Sequence, residues 1–307
     1  GGEDASGNLK LAAMTYRQRG SDFWPGPLDP ATANTSKDQC DIWDDIYKVD
    51  GSAIIDHANN FNGTVDPDIQ SWPGEYAPYR DLNNNGIYDP QGGDYPVLQN
   101  TCKGIVQENA AEDQPDQMLW WIYNDRGNIH SETQGEAIGI EMQTTAFAFS
   151  TNDEINDMTF YTTRLINRGA ASLDNTYFGQ WVDADLGNFS DDYVGCDVNL
   201  GLGFCYNGDA EDEGAAGYGF NPPAIGVDFF QGPLADPNDG IDNDRDGTID
   251  EANEQIIMSK FVYYNNDFTV IGNPSEGTHF YNYLRGIWKD NVPMTYGGDG
   301  HGAGQGS

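Results

Sequence analysis

Positive charge is scarce in this chain: 14 Lys and Arg stand against 50 Asp and Glu in 307 residues, a formal net charge of −36. A protein that neutralises phosphates needs clustered Lys and Arg, so this balance excludes nucleic acid as a partner and disfavours an anionic membrane surface. Histidine is scarcer still. His57, His130, His279 and His301 are the full set, and none falls in a His-Glu-x-x-His spacing. A Gly-x-Ser-x-Gly elbow, a phosphate-cradling Gly-x-x-x-x-Gly-Lys loop and a dinucleotide fingerprint are also missing, which removes every specific reason to propose catalysis. No apolar run approaches the ~20 residues of a membrane-spanning helix, so membrane insertion is not expected, and the numbered chain carries no signal peptide.

Cysteine is sparse too, with four residues and no Cys-x-x-Cys, which excludes the common zinc spacings. Proximity in sequence pairs Cys196 with Cys205 and leaves Cys40 for Cys102. The alternative is four free buried thiols. Pairing would imply an oxidising compartment. Asn34, Asn62 and Asn188 each begin an Asn-x-Ser/Thr acceptor for N-glycosylation, a three-residue pattern that matters only where the machinery exists.

What is present is enough to fold. Apolar residues make up 37% of the chain and aromatics 12%, which can offset the ordering entropy. The self-repulsion of a −36 chain weakens any compact state unless cations or partners neutralise it. The first part is irregular, with Gly, Pro, Asn and Asp breaking up aromatic patches such as Asp22-Phe-Trp-Pro-Gly-Pro-Leu28. Helical intervals are expected over 38–49 and after Ser52, a candidate N-cap with Ile54, Ile55 and Ala58 on one face. From Ala137 onward, runs of strand character cover 138–149, 158–167, 176–182, 193–206, 224–230, 260–264 and 279–288. The expected fold is mainly β: an antiparallel β-sandwich of the jelly-roll or immunoglobulin-like type, with long loop insertions and one or two short helices in the N-terminal third. The expected division is an irregular, partly helical region over 1–135 packed on a sandwich core over 136–307, the two making one structural unit.

The strongest chemical signal is Asp242-Asn-Asp-Arg-Asp-Gly-Thr-Ile-Asp-Glu251. Asp242, Asp244 and Asp246 can converge on one cation, Gly247 permits a sharp reversal, Thr248 can offer its carbonyl, and Asp250 or Glu251 can complete an oxygen shell. The position of a closing bidentate Glu holds Asn253, with Glu254 just after, so the closing ligand stays open. A second copy, Asp81-Leu-Asn-Asn-Asn-Gly-Ile-Tyr-Asp89, places Asp81, Asn83, Asn85, Ile87 and Asp89 at the corresponding positions and is expected to bind more weakly. A third acidic cluster holds Asp183, Asp185, Asp191 and Asp192, of which Asp183 and Asp185 are the ligand candidates; ordinary turn hydrogen bonds are the alternative. Hard oxygen donors select calcium over zinc or copper, so calcium is the expected cofactor.

Other chemistry has weaker support. Glu132 with Glu136, or Asp183 with Asp185, could serve as the two carboxyls of a glycoside hydrolase, but fifty acidic residues produce such pairs by chance. Trp72, Trp120, Trp121, Trp181 and Trp288 could stack on sugar rings, fill the core or anchor subunit contacts.

Several stretches together carry a resemblance. Tyr16-Arg-Gln-Arg-Gly-Ser-Asp-Phe-Trp-Pro-Gly-Pro-Leu28, the Gly-Asp-Tyr-Pro ending at Pro96, Trp120-Trp-Ile-Tyr-Asn-Asp125, Gly179-Gln-Trp-Val-Asp-Ala-Asp-Leu-Gly187 and Leu284-Arg-Gly-Ile-Trp-Lys-Asp290 resemble large secreted Bacteroidota surface proteins that carry a C-terminal type IX secretion sorting domain. The resemblance implies export and an extracellular or cell-surface location, and it supplies no reaction. The chain starts at Gly1-Gly2 without Met and stops in a glycine-rich stretch, as a piece of something longer would. A first strand clipped out of its hairpin is expected to leave an edge for a neighbouring copy to complete. The functional expectation is therefore an extracellular structural subunit that polymerises with itself into a calcium-stabilised fibre or surface layer. The alternative is a domain that binds or degrades polysaccharide.

Overall fold

The computed structural model describes residues 1–16, 19–98, 111–297 and 299–302. Contacts divide the chain into two compact units, Gly1–Thr176 and Tyr177–Ser307. The mainly β, antiparallel class is what the structure shows, with several sheets and few short helices, consistent with a sandwich-type protein. Among the described residues no helix is long and apolar enough to cross a membrane.

The first unit contains β1 (Gly2–Glu3), β2 (Leu9–Lys10), β3 (Trp24–Pro25), α1 (Lys37–Ile42), β4 (Tyr47–Asp50), α2 (Gly51–Asn60), α3 (Pro67–Ser71), β5 (Tyr79–Arg80), β6 (Tyr95–Pro96), β7 (Gln117–Asn124), β8 (Ile140–Ala148) and β9 (Phe160–Asn167). Its principal sheet has the order β3-β7-β8-β9, with β4 also on β7. The expected boundary at 135/136 thus falls inside one sheet, because β7 pairs with β8 from Gln117↔Ala148 to Asn124↔Glu141. Along β7 burial alternates, and Met118, Trp120 and Ile122 point into a core shared with Val49, Ile54, Ile69, Trp72, Tyr95 and Val97. That period of two is the signature of a half-buried strand.

Several sequence expectations shift locally. The helix expected over 38–49 is only the short α1, capped by Ser36, whose hydroxyl accepts from the Gln39 amide at 3.2 Å. Tyr47–Asp50 instead supplies the strand that β7 needs on that side. In α2 the N-cap is Asp50 and Ser52 lies in the first turn; Ile54 and His57 are buried, while Ile55 is exposed. The open first strand is also corrected. β1 pairs with β2 within the chain, Glu3 bridges Asp174, and Asp4 closes the turn by accepting the Ser6 and Asn8 amides.

The second unit contains β10 (Asp192–Asp197), β11 (Leu202–Asn207), β12 (Glu211–Asp212), β13 (Gly219–Phe220), β14 (Ala224–Asp228) and α4 (Gly277–Leu284). The expected run 193–206 is a hairpin, β10 and β11, and β14 joins it in a three-stranded sheet of order β10-β11-β14. The stretches 176–182 and 260–264 form no ladder. Residues 279–288, expected as a strand, begin inside α4. Its aromatics suggest β, but Phe280, Tyr281 and Tyr283 are buried at helical spacing, and Gly286, at φ 72°, follows the C-terminal end.

In the first unit, loops are tied down by buried carboxylates. Asp22 accepts from the amides of Ala13, Glu132 and Thr133 and from the Thr133 hydroxyl. Asp125 accepts from the amides of Ile138, Gly139 and Ile140. Burial pushes the Asp125 carboxyl up, against the pull of those amides and of His130. Both ring nitrogens of His130 face carbonyl oxygens, Nδ1 toward Leu11 at 2.7 Å and Nε2 toward Asp125 at 2.5 Å. The ring thus lies between the main chain at Leu11 and that at Asp125. It sits 3.7 Å from Asp22 and 3.9 Å from Asp125. Removing a buried hydrogen-bonding group so that its partners are left unsatisfied costs about 1–3 kcal/mol. His130→Phe is accordingly expected to lower unfolding free energy by about that amount in urea titration, and an unchanged stability would show that the ring's contacts with the two carbonyls do not hold these loops.

Candidate metal centre

Two acidic loops share one backbone frame. In the early loop the amide of Gly86 donates to Asp81 Oδ2 at 2.7 Å; in the late loop the amide of Gly247 donates to Asp242 Oδ2 at 3.0 Å. Asn85 N–H donates to Asn83 Oδ1 at 3.0 Å, and Asp246 N–H to Asp244 Oδ1 at 3.1 Å. Ile87 N–H donates to Asn85 Oδ1 at 2.7 Å, and Thr248 N–H to Asp246 Oδ1 at 2.8 Å. Left-handed backbone recurs at the same places: Asn84 and Arg245 at φ 57° and 60°, Gly86 and Gly247 at φ 76° and 98°. The glycine is needed there because a Cβ disfavours that conformation. This frame curls the chain around the side chains at the first, third and fifth positions.

In the late loop the carboxylates converge. One oxygen each of Asp242, Asp244 and Asp246 lie within 4.8 Å of one another, and so do oxygens of Asp244, Glu251 and Glu254. At that separation two carboxylates repel by roughly 3.5 kcal/mol at an effective dielectric near 20. Asp242 Oδ1 and Glu251 Oε2 are buried with no hydrogen-bond partner. The Glu251 carboxyl is pushed up: a hydrogen bond from its own amide opposes the shift, but burial and the charges of Glu254, Asp244 and Asp246 outweigh it. Acceptor oxygens gathered without donors are what a hard cation would satisfy.

Of the residues that could close the loop, Glu251 and Glu254 join the gathered set and Asp250 does not. Asp250 Oδ1 accepts from the Gly240 amide at 3.1 Å and is not in the gathered set. Glu254, only 5% exposed, takes that role, with one oxygen also accepting from the Asn243 amide. Asp250 and Asn253 are left-handed, at φ 58° and 68°. The turn they make brings Glu254 back, one position later than the familiar twelve-residue spacing. Thr248 is exposed, with its amide on Asp246.

The early loop has carboxylates only at Asp81 and Asp89, with the amide side chains of Asn83 and Asn85 between, and Ile87 exposed. Buried Asp94 fixes its frame by accepting from the Leu82 amide at 3.0 Å and the Asp89 amide at 2.9 Å. Asp94 was missed in the sequence because it lies beyond the repeat. Asp183 and Asp185 are exposed and do not belong to any gathered carboxylate group among the described residues.

The other candidates disperse. Glu132 is buried, its oxygens taken by the amides of Arg19 and Gly20 and the Thr15 hydroxyl, whereas Glu136 pairs with Lys10; they make no acid and base couple. Trp72, Trp120 and Trp288 are core, Trp121 is half-buried, and exposed Trp181 donates to the Tyr264 hydroxyl at 2.8 Å. Cys196 and Cys205 are free thiols rather than a disulfide. In the hairpin Cys196 faces Gly203 and Cys205 faces Val194, a diagonal offset of about 7–8 Å between α-carbons, beyond ordinary disulfide reach. Burial, and then Asp197 and Asp192 respectively, push these thiols up. Cys40 is a buried free thiol on α1, and Cys102 lies outside the described residues. Asn34 and Asn62 are exposed and Asn188 is half-buried.

No family model, curated protein or solved structure matches the chain. Ligand charge is the difference between the two loops, and it sets the expected order of affinity. Calorimetric titration should show a tighter and a weaker calcium event. Asp244→Asn should abolish the tighter, and Asn83→Asp should strengthen the weaker at least about tenfold, equivalent to ~1.4 kcal/mol. Unchanged isotherms in both variants would remove the loops as calcium sites.

Proposed function

We propose that this chain is a structural module of an extracellular or cell-surface assembly, stabilised by calcium and built from copies of itself. The observation that carries the reading is the late loop, where five carboxylates gather and the oxygens Asp242 Oδ1 and Glu251 Oε2 are buried without a donor. Calcium there would neutralise the self-repulsion of a −36 chain and fix the loop in one conformation. An ion present at 100 times its dissociation constant adds about 2.7 kcal/mol of stability per site. Surface location draws on the resemblance to secreted Bacteroidota proteins. Because the first hairpin is closed within the chain, assembly is assigned to the second unit. There β10 and β14 are the outer strands of a three-stranded sheet, each paired on one side only among the described residues. Such edges accept a further strand.

A second reading, polysaccharide binding, is favoured by one face of that sheet. Tyr193 and Tyr206 are cross-strand partners stacked at 6.1 Å, and Phe204 lies 6.0 Å from Tyr206. Tyr193 is 60% exposed and Tyr206 44%. Gly195, Gly226 and Ala224 share this face and leave the rings standing above it. A row of exposed rings suits the flat faces of sugars.

Electron microscopy separates the two. Filaments or sheets in calcium that loosen on chelation are expected from the first reading, and discrete monomers under both conditions would sink it. Selective binding on a glycan array that disappears in a Tyr193→Ala, Tyr206→Ala double variant would establish the second.

A further inference from the structure

Asp192 opens β10 and Asn207 closes β11, and the hairpin register pairs them directly. Their side chains therefore stand on the same face, with β-carbons about 4.5–5.5 Å apart. Asn207 is only 7% exposed. Its Nδ2 donates to the carbonyls of Asp209 and Glu211, each at 3.3 Å, at the start of the next turn. This fixes the orientation of the amide, because a flipped side chain would turn Oδ1 onto two carbonyl oxygens. In the orientation that remains, Oδ1 is buried, is not the atom that meets those carbonyls, and has no partner.

The neighbouring oxygens are in the same condition. Asp192 Oδ2 accepts from the Leu186 amide at 3.2 Å, but its Oδ1 is buried without a donor. Both carboxylate oxygens of Asp191 are buried without a donor, and the Asp191 carbonyl accepts from Gly208, the residue after Asn207, at 2.9 Å. Asp212 adds charge nearby without adding a free ligand, since it accepts the amides of Asn188 at 3.1 Å and Tyr218 at 2.8 Å. Four buried acceptor atoms on three side chains thus meet no hydrogen. Buried polar groups are otherwise almost always satisfied; ionised carboxylates have no hydrogen to give, and the Asn207 NH2 is already held by the Asp209 and Glu211 carbonyls.

We propose that Asp191, Asp192 and Asn207 form a further cation site where β10 meets β11, taking a hard divalent ion such as calcium, separate from both acidic loops. Two carboxylates and an amide oxygen are a hard-donor set of the kind calcium takes, with water or backbone carbonyls filling the remaining positions. No three carboxylates approach within 4.8 Å here among the described residues, so the amide oxygen is the distinguishing ligand. The spacing Asp191-Asp192 to Asn207 follows no loop motif, because the hairpin rather than a local turn brings the ligands together.

Equilibrium dialysis of the full chain with radioactive calcium tests this. The Asp191→Asn, Asp192→Asn double variant should bind one ion fewer than wild type and still lose a further ion when Asp244→Asn is added. An unchanged ion count in the double variant overturns the site, whatever Asp244→Asn does at the late loop. Asp191→Asn alone guards against a folding failure of the double variant, because neither carboxylate oxygen of Asp191 accepts a hydrogen bond that the change would break. With an ion present this change should weaken binding about tenfold and shrink the rise in melting temperature produced by calcium. A melting temperature raised equally in calcium and in chelator would show relief of repulsion alone and overturn the proposal.

Discussion

Carboxylate oxygens accepting backbone amides hold this molecule together. Much of the chain lies outside ladders and helices, yet each buried N–H needs an acceptor. Asp22, Asp125, Glu132 and Asp94 supply it in the first unit and Asp212 in the second, each binding two or more donors, most of them main-chain amides. Glu141, fully buried on β8, does the same for the Leu28 amide while also taking Gln143 and the Arg168 guanidinium, which lies 3.0 Å away. An acidic side chain here does the work that a neighbouring strand does in a regular sheet. The composition and the irregular trace are two aspects of one solution.

That solution works only where donors suffice. A carboxylate that accepts two or three amides is favoured in its charged form. One with an unmatched oxygen must be protonated, hydrated or bound to a cation. The hydrogen-bond pattern therefore sorts the acidic residues into those wired to backbone and those left with an oxygen facing inward. Asp242, Glu251, Asp191 and Asp192 belong to the second group. Net charge alone does not make this distinction.

The mainly β class was legible because strands such as β8 and β9 are rich in β-branched and aromatic residues. β7 was obscured by its adjacent tryptophans, which invite a reading as a binding surface until the alternation of Met118, Trp120 and Ile122 is set against Trp121. α4 was misread because Phe280, Tyr281 and Tyr283 favour strands by propensity, and only tertiary burial chooses the helix. The repeated acidic loops were legible because their frame is local: each hydrogen bond spans five residues or fewer. Asp94 and Asn207 were not, and Glu254 stayed open, since each reaches its partners through a turn or a strand register that the local motif does not encode. The disulfide expected from proximity failed for the same reason: a hairpin register, rather than sequence distance, decides which residues face each other.

The two units meet the charge problem differently. The first places a cation on one buried acid, Arg168 on Glu141, and satisfies Asp22 and Asp125 with main-chain amides. The second, residues 177–307, holds 22 acidic residues against only Arg245, Lys260, Arg285 and Lys289. Of these, Arg245 reaches the Met258 carbonyl, Lys289 the Asn273 carbonyl, and Arg285 lies over the Tyr281 ring. Every buried carboxylate oxygen without a partner among the described residues falls in this second unit: Asp191, Asp192, Asp228, Asp242 and Glu251. The first unit's unsatisfied atoms are instead a hydroxyl on Thr35 and a ring nitrogen on His57. A region that gathers acids without internal cations depends on its solvent for them. The calcium dependence we propose therefore belongs chiefly to the second unit, whereas in the first the buried acids already meet Arg168 and the main chain.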